Sequence, residues 1–422
     1  MIDFWIGLPL NLRYLVLAIS GLVAGSAANY LIYTWCYFPR PISPWAPADK
    51  KTPTRTWADR LPVLGWMTLR REREIHGTGF WIRPLLIELA LAIAFPLLYW
   101  FESQIGGLLP VGLQGNAQLV KDFEAWGSQL TVGHAFLLFL LVAGTFIDFD
   151  EQTIPDVLTV PGTIIGLLLA ACSAYWFLPV DVANGNETWL SPAYFNLPWA
   201  PLAPKWRTST GLMTGLAIWS LWCFALADRR IITRKGFAKA IEFFFAGLVR
   251  LPTWKLLAGI WVAGVIGIAA VFAIGGDRWH GLLTSLVGLA VGGGIVWAIR
   301  IVAWVSMRRE AMGFGDVTLM AMIGAFLGWQ AALTTFFLAP FTSIAIVTIK
   351  LLITRETETP FGPYLSAGAI LTVAFWPTLY PKLAINFVLL GPAVLPFAVA
   401  ILAIMGVMLF AIQVAKGFFL RG

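Results

Sequence analysis

Charge is scarce in this 422-residue chain: only 12% of its residues are Asp, Glu, Lys or Arg. Soluble domains carry about 25%, so an ordinary water-facing surface is excluded. Cysteine is scarce too. Cys36, Cys172 and Cys223 are widely spaced. They offer neither a disulfide framework nor a Cys-x-x-Cys metal pair, and read as small packed hydrophobes. The three histidines (His76, His134, His280) lack metal-ligand spacing, and no Gly-x-Ser-x-Gly elbow occurs. His134 reads as a packed or interfacial residue. The net charge is +7, but no basic-aromatic motif accompanies it, which argues against nucleic acid as a partner.

What remains is apolar. Hydrophobic residues make up 59% of the chain, with mean hydropathy +0.79 and 21 Trp suited to membrane interfaces. The expected fold is an all-α polytopic membrane protein. Runs long enough to span a bilayer predict about eleven helices, near 14–35, 84–101, 131–148, 157–178, 209–227, 255–276, 281–305, 316–329, 331–349, 364–380 and 390–415. The first run continues to Trp35 without a small-residue cleavage site, so it reads as a retained span. With the N-terminus outside and the C-terminus cytoplasmic, 23 of the 29 Lys and Arg fall on the cytoplasmic side, in line with the positive-inside rule.

Residues 36–83, basic and Pro-rich, read as a cytoplasmic loop subdomain. Residues 233–252 mix basic and apolar positions as an interfacial amphipathic helix would. The outer loops at 102–130 and 179–208 carry no chemistry, and the Asn-Glu-Thr at 186–188 is too short a glycosylation signal to weigh.

Two acids stand out. Asp316 sits in Gly313-Phe314-Gly315-Asp316 at the cytoplasmic start of a predicted span. A charge at the bilayer centre costs about 2.5–3.5 kcal/mol even on lenient scales, so its retention asks for a reason. Asp148 and Asp150 lie where the third predicted span reaches the same side. Being two residues apart, they point to nearly opposite faces of a continuing helix, so only one can readily meet a partner. A lone Asp at such a place is usually a solvated helix end or cap. Two acid sites converging at one depth suggest instead a pair sharing one proton, able to activate water against a carbonyl. The glycines allow backbone to approach a substrate closely. Residues alone thus leave two readings, a membrane aspartyl protease or a proton-coupled transporter.

Six segments, in order, resemble the type IV prepilin peptidase family of GxGD-type membrane aspartic proteases. They are GSAANYLIY (Gly25 to Tyr33), DRLPVLGW (Asp59 to Trp66), RPLLIELA (Arg83 to Ala90), IDFDEQTIPDVLTVP (Ile147 to Pro161), GFGD (Gly313 to Asp316) and PFGPYLSAG (Pro360 to Gly368). The resemblance implies an aspartic endopeptidase of the bacterial inner membrane, with its active site facing the cytoplasm. Its substrates would be type IV prepilins or pseudopilins, losing a basic leader after Gly. It also implies N-methylation of the new N-terminus with S-adenosylmethionine; proteolysis itself needs no cofactor.

By motif position the dyad is Asp148 and Asp316, with Asp150 as the fallback for Asp148. Gly313, Gly315, Asp150 and Asp156 would support the site. Asn29, Arg83 and Glu88 would belong to the methyltransferase-like region, with Glu88 either orienting a substrate or pairing with Arg83. Residues 1–130 would form that region and 131–422 the peptidase domain. A presenilin-like protease fits less well, since Pro-Phe-Gly-Pro replaces Pro-Ala-Leu, and a non-catalytic relative stays open.

Two departures matter. Family members commonly carry two Cys-x-x-Cys pairs in the first cytoplasmic loop. Here those stretches read Ala48 to Lys51 and Arg73 to His76, without cysteine, so a thiolate zinc site is excluded there. The two proposed acids are also 168 residues apart, beyond the family interval. Two extra spans, in an insertion at about 179–280, would account for this and return the chain to the same side.

Overall fold

The computed structural model describes residues 2–45, 53–184, 187–199, 204–227, 253–307, 312–354 and 360–419. The amphipathic segment expected at 233–252 lies outside them, as do Ala48 to Lys51. After a short helix at Ile2–Gly7, the long helices are α1 (Leu10–Thr34), α2 (Ile82–Tyr99), α3 (Ala117–Glu151), α4 (Asp156–Cys172), α5 (Ser209–Leu226) and α6 (Thr253–Ile274). They continue as α7 (Gly276–Met307), α8 (Phe314–Thr354), α9 (Gly362–Ala374), α10 (Trp376–Leu390) and α11 (Val394–Phe419). Eight helical runs among the described residues are long and apolar enough to cross a membrane, while α4 and α9 are shorter.

Two expectations change in detail. The separate helices expected at 316–329 and 331–349 form one run broken at Gly328, whose φ of 82° only glycine adopts freely. The arms fold back on each other there, because Gly292 of α7 lies against both the Met320 carbonyl and Ala332. The fold is also not purely helical. Pro179–Asn184 (β1) pairs antiparallel with Glu187–Pro192 (β2). The chain after this hairpin covers the Gly328 turn and accepts hydrogen bonds from its two side-chain N–H donors. Trp329 Nε1 donates to Phe195 O (2.7 Å) and Gln330 Nε2 to Tyr194 O (2.7 Å). Cys36 and Cys223 are buried as expected, but Cys172, at the end of α4, is exposed.

Packing joins α1, α2 and α3 into one group, and α4, α7, α8 and α9 into another, with α3 also against α9. Helices α5 and α6 pack on each other and against α7. Since α4 packs directly on α7 and α8, α5 and α6 stand outside that contact.

The loop between α1 and α2 is a run of short helices at 57–60, 64–68, 69–72 and 73–76. Two carboxylates organise it. Glu72, fully buried, accepts two hydrogen bonds from Arg55 (3.1 and 2.8 Å) and lies 3.3 Å from His76. Arg55 in turn donates to the carbonyls of Ser43 and Pro41. Burial alone would push the Asp59 carboxyl up. Hydrogen bonds from Arg71, Thr68 and Thr56 outweigh that and hold it well below the usual carboxylate range. Removing one member of a buried ion pair costs about 3–5 kcal/mol, because the other charge is left without a partner. Glu72→Ala is therefore expected to open this loop to trypsin in membranes while the helical runs stay protected. An unchanged digestion pattern would show that Arg55 finds another partner.

Candidate active site

Helix α3 is capped by Asn116, whose side chain accepts from the N–H groups of Gln118 and Leu119. It ends where Gln152 turns left-handed (φ 55°) and donates its N–H to the Asp148 carbonyl (2.8 Å). Asp148 therefore sits in the last turn of a long, well-bounded helix. Its side chain is buried (3% exposed) and Oδ2 accepts the Gly362 N–H at 3.0 Å, at the start of α9.

Asp316, 7% exposed, occupies the first turn of α8. It is the third helical residue, and its carboxylate faces the Gly313 N–H, the place of the acid in a capping box. The helix-cap explanation is thus correct as far as it goes. It does not explain why a second buried acid is placed opposite. Asp148 and Asp316 lie within electrostatic reach of each other, and Arg300 within reach of Asp316.

The approach of the two helices depends on Gly315. A Cβ there would stand 2.8 Å from the Ile154 carbonyl oxygen and 2.9 Å from its amide nitrogen, in the turn between α3 and α4. A Cβ on Gly362 would stand 2.5 Å from Asp148 Oδ2. Gly313 is different, since its Cβ would meet nothing closer than 3.7 Å. Asp156, in the first turn of α4, lies near the Thr318 hydroxyl, which itself donates to the Gly315 carbonyl (3.1 Å), so α4 and α8 meet beside the pair.

Asp150 points elsewhere, as its two-residue offset requires. Both its oxygens accept from Arg83 (2.7 and 2.8 Å), and Arg40 also donates to it. Arg83 and Arg40 both lie over the Tyr33 ring. The next residue, Glu151, accepts the N–H groups of Tyr37 and Phe38. The end of α3 thus anchors the start of the loop.

The expected alternative of a Glu88–Arg83 pair is not found. Five residues apart, the two do not share a helix face, and Arg83 is engaged by Asp150. Glu88 is buried in α2 and accepts from Val63 N, Trp66 Nε1 and Asn29 Nδ2, holding the loop's other end. Ser366 was not singled out in the sequence. It lies on the face of α9 that carries Gly362, one turn further in, buried and with its hydroxyl unpartnered.

The fold and these paired carboxylates define a class, a polytopic helical membrane protein with a buried two-aspartate site. Residues 248–348 match the model of the type IV leader peptidase family. The match contains Asp316 but not Asp148. The chain is 31% identical over 145 residues to a prepilin leader peptidase/N-methyltransferase of Pseudomonas putida, covering 33% of this chain and 46% of that one. A protein of the same description from Stutzerimonas stutzeri is 27% identical over 166 residues (39% and 55%). One from Myxococcus xanthus strain DK1622 is 36% identical over 107 residues (25% and 31%). The chain thus spans about half the length, or less, of these curated relatives. No solved structure matches it.

Proposed function

We propose that this protein is an aspartic endopeptidase of the bacterial inner membrane that removes the basic leader of type IV prepilins or pseudopilins at the cytoplasmic face. One observation carries the reading: Asp148 and Asp316, from helices far apart in sequence, are buried within electrostatic reach of each other. Like charges so placed cannot both ionise readily, so the pair holds one proton. The ionised carboxylate takes a proton from water, whose oxygen attacks the scissile carbonyl carbon. The protonated carboxyl gives its proton to the carbonyl oxygen. Collapse of the tetrahedral intermediate breaks the C–N bond, and the leaving nitrogen takes up a proton to become the new amine. The positive-inside bias of the chain supports the cytoplasmic assignment, and the leader's own positive charge would stay on that side.

The residues expected to serve S-adenosylmethionine do not fit it as a set. Both Glu88 oxygens accept from the chain's own donors, and Arg83 is bound to Asp150. Only Asn29 Oδ1 is left buried without a partner. No methyl-transfer step is therefore derived from them. Cleavage of a model prepilin in membranes, with mass analysis of both fragments, tests the peptidase reading. The expected product begins at the residue after the leader's terminal Gly. Intact prepilin after incubation with folded protein, repeated for several prepilins, would overturn it.

A further inference from the structure

A groove of about 240 Å³ lies between α2, α3 and α9. Its α3 wall is His134, Leu137, Leu138 and Leu141, spaced to share one helix face with Asp148, seven and fourteen residues beyond. Its α9 wall, Ala369, Ile370 and Val373, shares a face with Gly362 and Ser366. The groove therefore continues the seam that Asp148 and Gly362 close at one end. At 1.5 Å per residue it begins about 10 Å from Asp148 and ends about 21 Å away. At that far end His134 Nδ1 lies 2.6 Å from Glu102 Oε1, where α2 runs into a π-helical turn at Trp100–Gln104. Its rim reaches the apolar exterior at Leu97 and Ile370, 56% and 46% exposed.

We propose that this groove receives the apolar helix that follows the cleaved bond of the substrate. The inference rests on the peptidase reading. Three features on the same two faces select this occupant. The groove lies along the two helix faces that carry Asp148 and Gly362 and begins about 10 Å from Asp148, so a helix seated in it points its end at the proposed dyad. Its walls are apolar except for His134, so they suit side chains projecting from a membrane helix. The buried Ser366 hydroxyl, without a partner, stands between groove and dyad. There a substrate helix must unwind, and its freed main-chain groups need partners away from lipid. A lipid chain would fill the apolar part and leave Ser366 unanswered.

The test uses full-length protein in membranes, carrying Asp316→Asn to retain substrate, with a photoreactive residue at Leu97 or Ile370. A third version carries it at Ile301, an exposed α7 position (45%) outside the groove. With a model prepilin, adducts to its apolar helix are expected at 97 and 370, at least tenfold above 301. In the enzyme with Asp316 intact, Ile370→Trp is expected to raise KM for that prepilin at least tenfold, with a smaller change in kcat. Equal adduct yields at all three positions, or adducts to lipid only, would overturn the groove. Cleavage by the intact protein alongside such yields would leave the peptidase reading standing. No cleavage by the intact protein would instead overturn the reading beneath it.

Discussion

Asp148→Asn and Asp316→Asn are each expected to lower prepilin cleavage by at least about 10³-fold, the upper range for loss of a general acid or base. An amide at either position can neither take the proton from water nor supply one to the carbonyl oxygen. The double variant should be no slower than either single one, because residues acting as one unit lose their function together. Asp150→Asn is the informative contrast. Its carboxylate bridges Arg83 and Arg40, so its loss should lower the thermal midpoint in detergent and leave cleavage within about tenfold, well short of losing a general acid or base. Initial rates in membranes and unfolding of the purified variants measure the two effects separately. Full activity in either Asp148→Asn or Asp316→Asn would remove the dyad. A loss in Asp150→Asn as deep as theirs would move the first acid to position 150.

This contrast marks how far residues alone reach. Helical periodicity shows that Asp148 and Asp150 diverge, but not which of them faces α8. That choice is made by Arg83 and Arg40, 67 and 110 residues from Asp150 in sequence, a distance over which no periodicity carries information. The long helices were legible because about 20 consecutive apolar residues are a bilayer's own requirement, but the spans expected at 157–178 and 364–380 begin in helices too short to cross. The break at Gly328 was legible in the boundary between the runs expected at 316–329 and 331–349. The hairpin at 179–192 was not, since its short strands alternate too briefly between Pro, Asn and Trp. Nor were the clamps of the first loop, because Arg55 meets Glu72 across two short helices rather than along one. Ser366 was invisible for a similar reason. A serine in an apolar helix usually donates to the carbonyl one turn back, and only the packed structure shows that this one does not.

The glycines separate by geometry in a way their motif does not suggest. Gly315→Ala should lower kcat/KM by at least about 100-fold, the scale expected when a catalytic group moves by about an ångström. Its Cβ would collide with the backbone of Ile154, which no side-chain rotation relieves, so the start of α8 must move and carry Asp316 away from Asp148. Gly362→Ala should act from the other side, its Cβ falling 2.5 Å from Asp148 Oδ2 and 2.7 Å from Ile154 Cδ1. Neither substitution adds or removes a charged group, so both should leave the protein folded and inserted. Gly313→Ala should retain most activity, because its Cβ meets only ordinary contacts and its N–H still reaches Asp316. Rates for the three variants, measured beside their expression in membranes, decide the matter. Equal losses at 313 and 315 would mean that the first glycine serves the substrate rather than the packing of α8 against Ile154. Full activity at 315 would show that the two acids tolerate a wider separation than the structure holds them in.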